Sequence, residues 1–480
     1  MTSVRPLLTR LHFYAGIFVA PFIIVAAASG LLYAISPPLE QVVYADELTT
    51  EARGDTLPLD EQVAAAQATQ PDLSVLAVRP APEEGRTTQV LFDDGRTEDS
   101  RRLAVFVDPV EGDVHGALTS YGSSGSLPFR IWIDELHRGL HLGDPGRIYS
   151  ELAASWLWVI ALAGLALWWS GRRRGRSLRQ WAAERLDPRS AAGRSARRRT
   201  LTWHGALGTW LVLGMLMLSA TGLTWSQYAG TNVSELRTAM SWNSPTPVSD
   251  LSGDDGAAGA HDGHAGHGGG AGTPGDLASY PTTFQEVRTI AAALEVDAEV
   301  EIVAPVGEHG AWVVTELDKS WPTQADALSV DPATGQVVDV VRFADHPFVA
   351  KLARWGIDLH MGLLFGIWSQ VGLALLAAGI IAMTVLGYRM WWQRRPTRDA
   401  GFRFGRPPQR GAWRALPAPA VAGVAVVAVG LGWFLPVWGV SLALFLAVDL
   451  ALGAWRGRGG GSARPEQGAT EPALDPVGEH

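Results

Sequence analysis

The apolar positions of the chain fall into long stretches that are separated by polar segments. Four stretches are clear and a fifth block is apolar for about 40 residues: 11–35, 152–169, 203–225, 362–388 and 416–455. A bilayer core of about 30 Å needs about 20 helical residues, so each of the first four stretches predicts one membrane span. The fifth block predicts a hairpin of two spans that turns at Pro436, which makes about six spans.

Arginine clusters predict the orientation of these spans. Segments 171–200 and 393–414 contain 11 and 7 arginines, and such clusters are typical of cytoplasmic loops. Both termini are then cytoplasmic. The predicted order is cytoplasmic N-terminus 1–10, span 11–36, outer region 37–150, span 151–170, cytoplasmic loop 171–200, span 201–228, outer region 229–355 with a linker at 241–278, span 356–392, cytoplasmic loop 393–415, hairpin 416–455 and a disordered cytoplasmic tail 456–480.

The spans contain an internal repeat. His12 precedes Gly30 by 18 residues in the first span, and His204 precedes Gly222 by 18 residues in the third. Each glycine stands in a similar tripeptide, Ser-Gly-Leu in the first copy and Thr-Gly-Leu in the second. A fixed spacing of this kind indicates a duplicated architecture.

The outer regions repeat as well, at a constant offset of 223 residues that relates Asp108 to Asp331 and His137 to His360. Each copy predicts an amphipathic helix, then strands and a hairpin turn. The expected helices are 59–69 and 283–294, and the expected strands are 75–78, 87–92, 103–107, 299–304, 311–316 and 327–330. The predicted fold is an α-helical integral membrane bundle, duplicated, with two small extracytoplasmic α+β modules.

Composition limits the chemistry that this chain can perform. The chain has no cysteine, which excludes disulfides, thiolate nucleophiles, cysteine-ligated iron–sulfur clusters and covalently attached c-type haem. Metal or haem chemistry must therefore depend mainly on the 12 histidines. No constellation for hydrolysis or phosphoryl transfer is recognisable, so no catalytic residues are proposed. The basic loops are explained by membrane topology, so no nucleic-acid partner is expected.

The second outer copy carries a motif that can be compared with known families. Segment 330–337 reads VDPATGQV, and together with the preceding helix and strands it resembles a PepSY module. With the histidine in the first span and the Asp-Leu-His of 358–360, residues 5–395 resemble the PepSY-associated transmembrane family. The resemblance implies a bacterial inner-membrane, iron-regulated protein that acts as a haem-containing ferric-siderophore reductase. It implies nothing about the linker or the C-terminal hairpin.

The predicted topology sorts four histidines by membrane face. His12 and His204 open spans from the inside, whereas His137 and His360 precede spans on the outside. A neutral imidazole is a good axial ligand for haem iron, and ionisable residues in spans are functional candidates. We therefore expect two non-covalent b-type haems, one held by each pair. The alternative is that each histidine simply lies in the headgroup layer.

Other polar residues beside these histidines could assist. His141 follows His137 by four residues, which on one helical face would let it ligate or support the cofactor. The carboxylates of Asp134, Glu135 and Asp358 could accept the second imidazole N–H. Arg130 or Arg138 could pair with a haem propionate or an anionic siderophore; both residues precede the second span.

The main hypothesis is a di-haem electron-transfer protein that reduces an extracytoplasmic acceptor, with ferric siderophore or another metal chelate as partner. Its donor would be a cytoplasmic-side reductant or a quinol within the lipid membrane. One alternative is a non-enzymatic scaffold whose PepSY modules bind an extracytoplasmic partner. Another is a copper- or other metal-handling protein that uses His261, His264 and His267 of the linker.

Overall fold

The computed structural model describes residues 4–95, 100–170, 195–252, 277–297, 299–394, 411, 414 and 416–459. In chain order its elements are α1 Arg5–Phe18, α2 Ala20–Val43, α3 Ala45–Leu48, α4 Leu59–Thr69, β1 Ser74–Arg79, β2 Thr88–Asp93, β3 Arg101–Val107, β4 Val114–Tyr121, α5 Pro128–Gly139, α6 Asp144–Ser170, α7 Ala196–Thr224, α8 Tyr228–Ala239, α9 Phe284–Ala293, β5 Val300–Val303, β6 Trp312–Glu316, β7 Ala327–Val330, β8 Val337–Val341, α10 Phe348–His360, α11 Ile367–Trp392, α12 Ala418–Phe434 and α13 Pro436–Gly459.

Among the described residues, five helices are long and apolar enough to cross a membrane: α2, α6, α7, α11 and the Pro436–Trp455 part of α13. The apolar helix α12 is shorter, at 17 residues. The chain is therefore a helical, multi-pass membrane protein. Helices α2, α6, α7 and α11 form the centre of the bundle, and α1 packs against α6.

Two of the expected spans are divided in the structure. The first breaks at Val19, because Pro21 lies in the opening turn of α2 and cannot donate a backbone hydrogen bond. Helix α2 then continues to Val43, beyond the expected end at 36. The expected span at 356–392 is divided between α10 and α11, where Gly362 and Gly366 have φ of 78° and 54°. That positive φ suits glycine and ends α10 directly after His360.

The C-terminal hairpin turns at Leu435, directly before Pro436. It is attached to the bundle by polar contacts as well as by apolar packing. Arg10 of α1 forms an ion pair with Asp449 of α13, and Trp156 Nε1 of α6 donates to Ser441 Oγ at 2.9 Å. Because lipid offers no competing hydrogen bonds, such contacts favour one fixed position for the hairpin.

The strands form one continuous sheet and not two separate ones. The order is β4-β3-β2-β1-β5-β6-β7-β8, with neighbouring strands antiparallel. The two halves meet between β1 and β5 through a short register, Ala77 opposite Val303 and Val78 opposite Ile302. Strands β4 and β8, at the two edges, were not among the expected strands. Both are only partly buried, so the alternation of apolar and polar residues that identifies a strand is weak there.

Helices α4 and α9 cover one face of this sheet. Leu59, Phe284 and Trp312 belong to the core between them, and each is at most 3% exposed. The opposite face carries a second core around Phe106 and Leu127, beside α3 and the start of α5. The sheet leads into the bundle twice, from β4 through α5 into α6 and from β8 through α10 into α11. Helices α5 and α10 are therefore the connections that carry His137 and His360.

Candidate functional site

Four histidines form two pairs inside the helical bundle, and within each pair the two rings are neighbours. The first pair joins His12 of α1 to His204 of α7, with ring centroids 6.1 Å apart. His12 Nδ1 lies 3.0 Å from the carbonyl oxygen of Ile160 in α6, and His204 Nδ1 lies 2.9 Å from that of Met383 in α11. A carbonyl oxygen can only accept, so each ring carries its proton on Nδ1. Each Nε2 is then left with a free lone pair.

The second pair joins His137 of α5 to His360 of α10, with ring centroids 6.4 Å apart. Here the partners of Nδ1 are hydroxyl groups. His137 Nδ1 lies 3.0 Å from Ser29 Oγ in α2, and His360 Nδ1 lies 2.6 Å from Thr221 Oγ1 in α7. Both hydroxyls come from the bundle, so the helices that leave the sheet are anchored to the spans through their histidines.

Each of these two hydroxyls has a second hydrogen-bond partner, and that partner fixes the direction of its bond to the imidazole. The Ser29 hydroxyl donates to the carbonyl of Val25 at 2.8 Å. The Thr221 hydroxyl donates to the carbonyl of Met217 at 2.7 Å. Each hydroxyl proton is thus already used, so the oxygen accepts from the imidazole. The second pair therefore has the same tautomer as the first, with Nε2 unprotonated.

A glycine lies against each of the four rings. A Cβ on Gly164 would lie 2.9 Å from His12 Cε1, and one on Gly30 would lie 3.2 Å from His137 Cε1. The matching distances are 3.6 Å for Gly387 beside His204 and 3.9 Å for Gly222 beside His360. The glycines let a ring lie close to the backbone of a neighbouring helix, which restricts its orientation.

Within each pair the two rings have partners of the same kind, and these partners are related by a constant sequence offset. Ile160 and Met383 differ by 223 positions, as do Gly164 and Gly387, and Ser29 and Thr221 differ by 192, the offset of His12 and His204. Along α7, His204 and Thr221 are 17 residues apart, which is about 25 Å of helix. The pairs therefore lie near opposite ends of the spans.

The spacing within each pair suits a metal held between the two imidazoles. A metal–imidazole bond is about 2 Å long and the ring nitrogen lies about 1 Å from the ring centre, so two imidazoles across one metal have centroids about 6 Å apart. The observed separations are 6.1 and 6.4 Å. Metal-bound histidines normally donate their other N–H to a fixed acceptor, as all four do here.

His141 does not lie where the sequence suggested. Helix α5 ends at Gly139, and Leu140 and His141 have left-handed φ of 54° and 56°. The expectation that His141 shares a helical face with His137 is therefore wrong. Its ring packs on Trp132 with centroids 5.0 Å apart, and its Nδ1 lies 3.1 Å from Glu135 Oε2.

The acidic and basic residues near the second pair also have other partners than expected. Asp134 pairs with Arg138, Glu135 with Arg101 and Asp358 with Arg354. The Nδ1 partners of His137 and His360 are hydroxyls and not these carboxylates, and among the described imidazoles Glu135 contacts that of His141 alone. Arg130 forms a buried ion pair with Glu40. His261, His264 and His267 lie outside the described residues.

The residues that do orient the rings were visible in the sequence, although their role was not. Ser29 and Thr221 stand before the glycines that defined the repeat. Gly164 and Gly387 are 223 positions apart, the same offset that relates His137 to His360. What identifies these four residues in the sequence is that a small residue recurs at the same offset as a histidine.

Comparisons with known proteins give one result. A search of curated proteins finds no match. A model of the PepSY-associated TM region matches residues 9–394, which includes both histidine pairs, the sheet and the central spans, and ends before the C-terminal hairpin. Because that match covers most of the chain, the protein belongs to the family defined by the PepSY-associated transmembrane region.

Proposed function

We propose that this protein is a di-haem b-type transmembrane electron-transfer protein that reduces an acceptor outside the membrane, with ferric siderophore iron as the favoured substrate. The observation that carries the proposal is the geometry of the two histidine pairs. Each pair brings two imidazole rings to a centroid separation of 6.1 or 6.4 Å, which suits one metal ion between them, and the hydrogen bonds at Nδ1 leave each Nε2 without a proton. Haem held by the histidines of a pair would supply one-electron exchange between Fe(III) and Fe(II).

The number of ligands favours haem over a bare metal ion. Zinc in proteins takes four ligands in a tetrahedral arrangement. Among the described residues, no group of three or more His, Asp or Glu side chains is placed to hold a metal ion. A pair of histidines supplies only two of the four ligands of such a zinc site, whereas the iron of a macrocycle brings its other ligands with it. The pairs therefore support haem more than zinc.

The proposal assigns a task to each end of the bundle. With the arginine-rich segments in the cytoplasm, His12 and His204 lie toward the cytoplasmic end and both chain termini are inside. His137 and His360 lie toward the extracytoplasmic sheet. The electron donor, a cytoplasmic reductant or a quinol, then meets the first end, and the acceptor meets the second. We infer six spans and an internal duplication, which places equivalent ligands on both halves.

Absorption spectroscopy of the purified full chain tests this function. We expect a b-type α-band in the reduced-minus-oxidised spectrum and two haems per chain by pyridine haemochrome assay. The reduced protein should then be reoxidised by a ferric hydroxamate chelate, with one Fe(II) released per electron. A protein with no haem after expression with added haem precursor would refute the proposal and would leave the membrane scaffold as the better candidate.

Close packing at Gly164 gives a sharper test of the first pair. In Gly164→Ala the new Cβ must displace the His12 ring, because it would lie 2.9 Å from Cε1. Overpacking of this kind costs about 1–3 kcal/mol, so haem affinity at this pair should fall about 5- to 150-fold. Gly387→Ala is the matched control, since its Cβ would meet His204 Cε1 at an ordinary 3.6 Å. Equal haem content in the two variants would contradict the proposed ligand position.

A further inference from the structure

A cavity of about 400 Å³ lies between the sheet and the bundle, and both His137 and His360 line it. Its deeper part is apolar and includes Ile23, Leu157 and Ile380. Its part nearer the sheet is polar and strongly basic, with Lys319, Arg354 and Arg147 among the lining residues. The cavity therefore suits a ligand that has an apolar body and an anionic end.

Lys319 is the cation that the sheet contributes. It follows β6, and its Nζ donates to Ser123 Oγ at 3.1 Å. In the described part of the chain no carboxylate lies within ion-pair distance of Lys319; the charged groups around it are Arg354 and Asp358 on α10, Arg79 on β1, Arg130 on α5 and Glu299 directly before β5. Burial, with the neighbouring Arg354, lowers the pKa of Lys319 to about 7. The protein thus holds a lysine whose burial outweighs the attraction of the nearby carboxylates Asp358 and Glu299.

Arg354 keeps a donor for a ligand as well. It donates from Nε to Asp358 at 3.0 Å, but its buried Nη2 has no hydrogen-bond partner. Arg147 lines the same cavity and donates to the carbonyl of Trp225 at 3.0 Å. A buried donor without a partner costs about 1–3 kcal/mol. An acceptor that enters the cavity would therefore gain by bonding to Arg354 Nη2.

The acidic residues Glu151 and Asp134, which also line the cavity, do not accept from these donors. Glu151 accepts from the backbone N–H groups of Tyr228 and Ala229 at 3.0 Å each, and Asp134 is paired with Arg138. The free hydrogen-bonding capacity of the cavity thus lies with the donors. A charged acceptor would form short, charge-assisted bonds with them.

We propose that Lys319, Arg354 and Arg147 form a binding site for carboxylate groups beside the His137–His360 pair. The carboxylates come either from the propionates of a haem held by that pair or from a soluble organic acid that approaches from the sheet side. The first source rests on the proposed function, and the second does not. Residues from the sheet, α10 and α6 meet at the site, so it exists only when the two halves are assembled.

Blocking the carboxylates of the ligand tests the first source. Full-length protein with His204→Ala, produced under haem limitation, is titrated with haem b and with haem b dimethyl ester, and binding is followed at the Soret band. We expect at least about tenfold tighter binding of haem b than of its ester. Lys319→Met should abolish this preference. Lys351→Met is the matched control, because Lys351 bonds to the carbonyl of Ala344 and should keep the preference.

Citrate tests the second source. Calorimetric titration of citrate into the haem-saturated protein should show binding that Lys319→Met removes and Lys351→Met retains. Loss of the ester preference in Lys319→Met assigns the site to propionate, and loss of citrate binding assigns it to a soluble acid. If Lys319→Met changes neither, the proposal is overturned. Citrate binding to a chain that takes no haem would support the carboxylate site while refuting the proposed function.

The same titrations should depend on pH in a defined direction. Carboxylate binding requires the protonated ammonium of Lys319, whose pKa lies at about 7 without ligand. The charged fraction falls about tenfold between pH 6 and pH 8, so the affinity should fall about tenfold over that range. In Lys319→Met, which should no longer bind citrate, the affinity for haem b should vary much less between these pH values.

Discussion

If the protein carries the two haems proposed, His360→Ala is expected to leave it with one haem per chain. The substitution removes one of the two imidazoles whose rings lie 6.4 Å apart. The remaining His137 cannot by itself form the six-coordinate iron of a bis-imidazole site. His137→Ala should cause the same loss, and the double variant should lose no more than either single one, because both residues act on one site. Haem per chain is measured by pyridine haemochrome assay.

The same experiment separates the two pairs. His12→Ala or His204→Ala should remove the other haem and leave the His137–His360 haem in place. His309→Ala is the control, since this histidine is exposed in a loop of the sheet region and its loss should change neither haem. Retention of both haems in His204→Ala would refute the pairing of His12 with His204.

Arg79→Met is expected to destabilise the sheet by about 3–5 kcal/mol. Arg79 of β1 reaches across the junction and forms two bonds with Glu301 of β5, at 2.8 and 2.7 Å. The Glu301 side chain is only 2% exposed, so the substitution leaves a buried carboxylate without its main partner. Urea denaturation, followed by the fluorescence of buried Trp312 in a variant where other sheet tryptophans are changed to Phe, measures the free energy of unfolding.

Two further variants show whether the effect comes from the buried charge. Arg53→Met removes an ion pair with Glu84 in which both side chains are more than half exposed, and it should cost at most about 1 kcal/mol. Arg79→Met combined with Glu301→Met should recover much of the lost stability, since neither charge is then left buried alone. A double variant as unstable as Arg79→Met would show that the packing of Arg79, and not its pairing, is what matters.

Three kinds of sequence signal predicted parts of this molecule correctly: long apolar stretches, the amphipathic pattern of a helix, and the repeated spacing of histidines. The spans follow from apolar length, and helix α4 lies where the amphipathic pattern placed it, at Leu59–Thr69. The two pairs of histidines could be proposed because histidines at a constant sequence offset fall at matching positions of the predicted topology. In the structure the rings of each pair do face each other.

The remaining features depend on contacts that no local pattern encodes. The role of Ser29 requires the knowledge that α5 packs against α2 at that height of the helix. Helix α5 ends at Gly139 because Leu140 and His141 adopt left-handed φ although neither is glycine. The spacing of four residues between His137 and His141 therefore predicts a helical turn that the structure does not have. The two sets of four strands form one sheet because β1 pairs with β5, and this pairing joins residues more than 200 positions apart.

That register has a consequence for how the protein is made. Ala77 of β1 pairs with Val303 of β5, which is synthesised 226 residues later. At about 5–20 residues per second, roughly 10–45 s pass between the two. During this time the first four strands present an open edge, which is a template for pairing with a wrong chain. A charged side chain at such an edge discourages wrong partners, so we expect Arg79 to protect the open edge of the unfinished sheet until it pairs with Glu301.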